Sequence, residues 1–415
     1  MTPYADFLYF AVLLYVVVPA MLLGLMARRA RWWILIATAG MLAVQYSGSM
    51  VILPAAVGHG AAGAPAPAGA AAVSTLPARA ILAVPILWFV AGYAAFQYSV
   101  ARVFLLLRAH ARKRWTFYLA AFLALAPLLG AKLLPLAVPN STFAFLGISY
   151  VTFRSLDAVI GIQDGLITAL PVGQYLAYLL FFPAISSGPV DRYRRFAADW
   201  TRNRTRADFL ADLDGGIHRI FTGFLYKFIL AYLIKTYWMD PAAGRTGFLP
   251  MLSYMYAYSA YLFFDFAGYS AFAIGVSYMF GIHTPENFNR PFLAGDIKEF
   301  WNRWHISLST WFRDHIYMRF LMVARKGNWF RSKYTASYIG YYLLFGLMAI
   351  WHGLAPHYLV YGCYHGSLFV AHDLVSRQAR ARGWTDTLPW RIASVFTTFN
   401  LVCFGLLLFS GHLFH

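Results

Sequence analysis

Long apolar runs separated by short basic loops set the pattern of this chain. A helix needs about 20 apolar residues to cross a bilayer. Runs of that kind occupy 7–26, 32–53, 81–107, 116–138, 217–238, 251–280, 335–351, 357–375 and 392–414, and each predicts a membrane span. Two weaker candidates are 142–163, which carries Arg154 and Asp157, and 172–190, which contains Pro183, Ser186, Ser187, Gly188 and Pro189. No basic region precedes the first run and no small-residue cleavage site follows it, so it reads as a retained helix rather than a signal peptide.

Basic clusters assign the sides, because positively charged loops stay in the cytoplasm. Arg28, Arg29 and Arg31 place the first loop inside and the N-terminus outside. The connection 54–78, uncharged and rich in Ala, Gly and Pro, is then external. Arg108, Arg112, Lys113 and Arg114 return the chain to the cytoplasm. The chain is outside near Asn140 and inside by Arg192, which demands an odd number of crossings. The expected dip is 172–190, since broken backbone survives at membrane depth only where protein or a wet cavity supplies its hydrogen bonds. Both termini fall on the extracytoplasmic face. The stretch 283–334 is charged yet dense in Trp, Phe and Ile, and predicts short helices entering from the cytoplasmic side.

Composition supports this picture. Of 415 residues, 60% are hydrophobic and 12% charged, against roughly 45–50% and 25% in a soluble domain. A soluble enzyme, a disordered chain and a disulfide scaffold are excluded. Thirty-four Lys and Arg against 16 Asp and Glu give +18. That excess explains topology before it suggests a partner; no nucleic acid is expected, and anionic lipid or an acidic partner is a secondary attraction. The two cysteines, Cys363 and Cys403, lie in separate apolar segments and form no metal cluster. No phosphate-binding Gly-rich loop, zinc-protease motif or nucleophile elbow is present.

Two histidines carry the candidate chemistry. His305 lies in Glu299-Phe300-Trp301-Asn302-Arg303-Trp304-His305, and His352 ends an apolar run in Ile350-Trp351-His352-Gly353. A charge at membrane depth costs about 2.5–3.5 kcal/mol on insertion scales; neutral imidazole costs less, so a packing role stands beside a functional one. Imidazole is the side chain best suited to move a proton near neutral pH. Acyl transfer from a thioester to a hydroxyl needs such a base and no metal. On a continuous helix Asn302 lies one turn ahead of His305 and is a candidate orienting or oxyanion group. Trp301, Trp304 and Trp311 either wall a channel or anchor at the interface. Asp265, an acid in an apolar run, must be paired or face a cavity. Ser186 and Ser187 are donors or capping hydroxyls in the broken segment. His283, His315, His357, His365 and His372 read as solvated or packing groups near the membrane edges.

The block EFWNRWHISLSTWFRDHIYMRF (299–320) resembles the signature of the membrane-bound O-acyltransferase (MBOAT) family, and IWHG resembles its second histidine block. FFPAISSGPVDRYRRF (181–196), ISYVTFRSLDAVIGIQDGLI (148–167) and NFNRPFLAGDIKEFWNRWH (287–305) are most similar to the D-alanyl transferases of that family. The resemblance is strongest over 140–375 and implies an all-α polytopic fold. That fold has about 11 transmembrane helices and re-entrant or short helices around a central funnel and tunnel. It also implies three segments: N-terminal spans 1–138, a catalytic core 139–375, and a basic loop with the last span, 376–415.

By the same resemblance the substrate is D-alanine held as a thioester on a carrier protein's 4'-phosphopantetheine, with no permanently bound cofactor. His352 is the expected base, and His305 positions or handles the proton. Met318, Leu321 and Met322, bordered by Arg313, Arg319 and Arg325, are the expected carrier-protein contact. A small single-span membrane peptide is a possible acceptor partner, passing the group to teichoic acid or another envelope polymer. The implied location is the bacterial cytoplasmic membrane. Acetylation of an exopolysaccharide of alginate type, proton-coupled transport and a non-catalytic scaffold are the competing readings; the inverted repeats common in transporters are not visible.

Overall fold

The computed structural model describes all residues except 1, 6, 29, 47–49, 55–80, 111–112, 138–143, 384–386 and 415. The connection 54–78 beyond Pro54, with Arg29, Arg112 and Asn140, therefore lies outside the described residues. Among the described residues, six helices are long and apolar enough to cross a membrane: Phe7–Leu25, Ile86–His110, Arg114–Ala137, Arg206–Ala243, Phe248–Met279 and Leu388–Ser410. By contacts the chain forms two units, one of 1–3 and 35–182, the other of 4–34 and 183–415.

In the first unit, α2 (Arg31–Tyr46) stops short of the predicted 32–53 span. Met50–Pro54 instead forms β1, antiparallel to β2 (Ile81–Pro85). Val51 and Ile52 favour extended backbone, and prolines close both strands at 54 and 85. Among the described residues, helices are thus joined by one two-stranded ribbon. α3 (Ile86–His110) and α4 (Arg114–Ala137) pack on α5 (Ile148–Gln163), which is buried along nearly its whole length. Its hydroxyls find partners inside the unit: Tyr93 Oη and Thr152 Oγ1 lie 2.6 Å apart, and Ser155 donates to Gln97 Oε1 at 2.6 Å. Arg154, fully buried, donates to the carbonyls of Tyr178 and Leu179 at 3.2 Å each. Those carbonyls end α6 (Val172–Leu180), where helical partners run out and a cation is favoured. The charge that weakened 142–163 as a span is a helix-end tether. α6 is only 9 residues long, so 172–190 is not one continuous helix.

In the second unit, α1 (Phe7–Leu25) is followed by α7 (Tyr193–Thr201) and α8 (Arg206–Phe224). α8 is opened by a capping box between Thr205 and Asp208. It continues through wider π-type turns at Leu225–Ala231 and Lys235–Met239, flanking α9 (Tyr232–Ile234), into α10 (Asp240–Ala243). α11 (Phe248–Met279) packs against it. A Cβ on Gly275 would sit 2.7 Å from the Gly216 carbonyl oxygen, so glycine lets the two backbones approach. Asp265 of α11 is paired with Lys227 at 2.5 Å, an ion pair between two helices. Beyond α11 come the short helices foreseen for 283–334: α12 (Ile297–Arg303), α13 (Ile306–Phe312), a π turn at Arg313–Tyr317 and α14 (Met318–Lys326). Finally α15 (Lys333–His352), α16 (Pro356–Ala381) and α17 (Leu388–Ser410) close this unit.

Candidate active site

The first histidine block does not form one helix. Asp296 caps α12 by accepting from the amides of Lys298 and Glu299, both at 2.8 Å. The helix ends at Arg303; Trp304 is extended, and His305 has φ +44°, left-handed backbone that a non-glycine residue adopts at a cost. Asn302 and His305 are therefore not one helical turn apart, which corrects the sequence-based expectation. Asn302 is exposed and lines a cavity; His305 is buried.

A buried polar chain holds the bend. Ser307 donates to Asn287 Oδ1 at 2.6 Å and accepts from the Val190 amide at 2.9 Å. Asn287 in turn donates to Ser270 at 3.1 Å, and its carbonyl accepts from the Ile306 amide at 2.9 Å. The strand-like bridge between Phe288 and Trp304 flanks the same turn. This fixes His305 with its ring edge-to-face on Phe266, centroids 4.7 Å apart. Its Nδ1 is buried and has no hydrogen-bond partner among the described residues. Such an orphan in a native fold asks for an explanation. Burial pushes the His305 pKa well down, and the nearby His352 opposes its charge further, so the ring favours its neutral form and is a weaker base than a solvated imidazole.

His352 stands at the C-terminal end of α15, with its ring against Trp351 and Phe409 at 4.5 and 4.8 Å. The following glycine has a steric reason: a Cβ on Gly353 would lie 2.5 Å from Cε2 of Tyr358.

The tryptophans are buried, not interfacial anchors. Trp304 packs among Phe263, Phe288, Phe292 and Phe300, while Trp311 contacts His315. Trp301 walls a cavity of about 250 Å³ together with Tyr341, Phe345 and Met348, and Asn302, Ser309, Lys298 and Arg313 supply its polar lining. Its indole N–H donates to Nδ1 of His365 at 3.3 Å. His365, expected near a membrane edge, is in fact fully buried in α16. Spacing alone gave no sign of it, nor of Asn287, whose only signal was its place within the 287–305 block.

Ser186 bonds Tyr269 at 2.5 Å, and the amide of Val190, a few residues on from Ser187, donates to Ser307 at the bend. On α14, Met318 and Met322 are exposed, Leu321 and Arg319 are half-buried and Arg325 is exposed. No group of three or more His, Cys, Asp or Glu able to hold a metal occurs among the described residues.

His305 thus sits at a buried bend and His352 at the end of α15, while Trp301 and Asn302, just before the bend, line the aromatic cavity. Residues 89–409 match MBOAT, the membrane-bound O-acyltransferase family. The chain belongs to this family and is a multi-pass membrane O-acyltransferase. It is 39% identical to the teichoic acid D-alanyltransferase of Bacillus subtilis, over 100% of this chain and 99% of that one. Identity to the teichoic acid D-alanyltransferase of Lacticaseibacillus rhamnosus is 43%, over 72% of this chain and 76% of that one. A probable alginate O-acetylase of Pseudomonas syringae is 32% identical, over 65% of this chain and 49% of its own length.

Proposed function

We propose that this chain transfers D-alanine from a carrier-protein thioester to a hydroxyl of teichoic acid or another envelope polymer across the bacterial cytoplasmic membrane. The observation that carries the reading is the buried His305, held in left-handed backbone with an Nδ1 that has no partner among the described residues. The full-length likeness to a teichoic acid D-alanyltransferase supplies the acyl group and the acceptor.

In this reading His352 takes the acceptor's hydroxyl proton as the oxygen attacks the thioester carbonyl. A C–O bond forms, the C–S bond breaks, and the proton passes to the departing sulfur. His305 holds a proton position beside that exchange. The cavity walled by Trp301, Tyr341 and Phe345 suits the carrier's 4'-phosphopantetheine arm, with Lys298 and Arg313 able to meet its phosphate. Asn302 and Ser309 offer polar contacts along it. The exposed Met318 and Met322 beside Arg313 and Arg325 suit an acidic carrier that is steered by charge and held by apolar contact. A small single-span membrane peptide remains the proposed intermediary on the outer face, and both chain ends face outward by the basic-loop pattern.

The test is transfer of radiolabelled D-alanine from its loaded carrier to membrane material, with wild type, His352→Ala and His305→Ala at matched insertion levels. Loss of transfer in His352→Ala supports the reading. Unchanged transfer in both variants sinks the proposed centre. Transfer of acetyl but not D-alanyl by wild type replaces the donor.

A further inference from the structure

A second cavity, of about 60 Å³, lies at the end of α1, remote in sequence from the histidine blocks. Arg28, Arg31, Arg202 and Arg204 line it, with Asp199 as the one carboxylate. That carboxylate is already engaged: it accepts from Arg195 at 2.8 Å and from the His283 amide at 2.7 Å. Arg204 is itself paired with Asp212, so the excess of positive charge at the cavity rests on Arg28 and Arg202 at its rim. Arg31 is oriented by its Nε, which donates to the Trp200 carbonyl at 2.8 Å. The Arg204 guanidinium lies against Gly281, where a Cβ would approach it to 3.0 Å. One outer nitrogen is held by Asp212, while its Nε is buried without a partner among the described residues. Arg28 and Arg202 stand exposed at the rim, and the carboxylate paired with Arg202, Asp208, is 3.7 Å away, beyond hydrogen-bond distance.

The remaining wall is apolar: Ala20 and Gly24 of α1, with Ile34 and Phe209. Gly24 admits the Phe209 ring, which a Cβ would meet at 2.2 Å. This wall leads onto the exposed Leu22 and Met26 of α1. The volume equals about two waters, enough for the oxygens of one phosphate group and too small for a sugar or nucleotide. Guanidinium groups match phosphate oxygens in pairs, and basic pockets between membrane helices select anionic headgroups.

We propose that this cavity binds the phosphodiester headgroup of an anionic phospholipid, whose acyl chain runs along α1 past Leu22. Soluble phosphate shares the headgroup chemistry and lacks the chain. The experiment uses the full chain in neutral detergent and native mass spectrometry, with phosphatidylglycerol and phosphatidylcholine of identical acyl chains. Wild type is expected to retain phosphatidylglycerol and not phosphatidylcholine. Arg28→Gln/Arg202→Gln, whose side chains are exposed and leave the fold intact, is expected to bind it about thirtyfold more weakly, roughly fivefold for each arginine. Arg380→Gln/Arg382→Gln, in a separate basic cluster, is expected to bind as wild type. Equal retention of both lipids, or undiminished binding by the first double variant, overturns the proposal. So does inorganic phosphate that raises the thermal midpoint as much as phosphatidylglycerol does. Rising salt, which is expected to strip the lipid from wild type, checks the same charge dependence without any substitution.

Discussion

Ser307 holds the His305 bend from two sides, and its removal isolates both partners. Ser307→Ala strands the Val190 amide and Asn287 Oδ1 in the interior. Leaving a buried group unpaired costs about 1–3 kcal/mol. The expected result is a lower thermal midpoint and slower D-alanyl transfer, with KM for the loaded carrier unchanged; Ser307→Thr, which keeps the hydroxyl, restores both. A changed KM with a normal maximal rate would move Ser307 out of the positioning role. Gly353→Ala probes the other histidine. Its φ of 176° suits any residue, so backbone strain is no factor, but the added Cβ meets the Tyr358 ring at 2.5 Å and must push His352 or Tyr358 aside. Because displacements near 1 Å can cost on the order of a hundredfold in rate, transfer is expected to fall at least tenfold while the protein inserts normally. Wild-type turnover by Gly353→Ala would show that the end of α15 is not rate-setting. Both histidines were legible as residues, since imidazole in an apolar setting is conspicuous. The left-handed turn at His305 was not legible, because Arg303-Trp304-His305 contains no glycine or proline to announce it. It is imposed by Asn287 and Ser307, one of them 18 residues upstream.

Elements were read well where the membrane dictates them. A span must be apolar along its whole length, so hydropathy located α1, α4, α11 and α17 to within about four residues, while the expected 81–107 span takes in β2 (Ile81–Pro85) before α3 begins. It failed where an apolar run changes backbone state, as in 50–54: hydropathy cannot tell a continuing helix from a strand built of Met50, Val51 and Ile52. It also could not show that Arg154 serves the end of α6, or that Lys227 answers Asp265. Between elements, His283 ties the turn after α11 to α7 and α8. Its Nε2 lies 2.6 Å from Asp212, its amide donates to Asp199 at 2.7 Å, and Arg195 and Arg204 complete the cluster. Hydrogen bonds to Asp199 and Asp212 raise its pKa to about 9. A folded-state pKa above the usual value near 6.5 means that the contribution is full below about pH 6.5 and disappears as pH rises through 9. The thermal midpoint is therefore expected to decline between pH 6.5 and 9, and His283→Gln is expected to flatten that decline and lower the midpoint at pH 6.5. An equally steep decline in the variant would assign the titration elsewhere.

At the scale of the whole molecule, the proposed reaction joins a soluble carrier to a membrane enzyme, so charge and apolar contact divide the work. The +18 charge of the chain attracts an acidic partner over distances near the Debye length, about 8 Å at physiological salt. In the proposed reading, contact is made by the apolar strip of α14, where Met318 and Met322 are 45% and 58% exposed. These two contributions separate experimentally. Arg325→Glu reverses a rim charge and is expected to slow carrier association several-fold and weaken its salt dependence, with the maximal rate preserved. Met322→Asp removes apolar contact and is expected to speed dissociation and raise KM, again with the maximal rate preserved at saturating carrier. Neither residue touches the histidine pair, so a fall in maximal rate at saturation would place α14 in the reaction itself. Unchanged KM in both variants would send the carrier to another face of the protein.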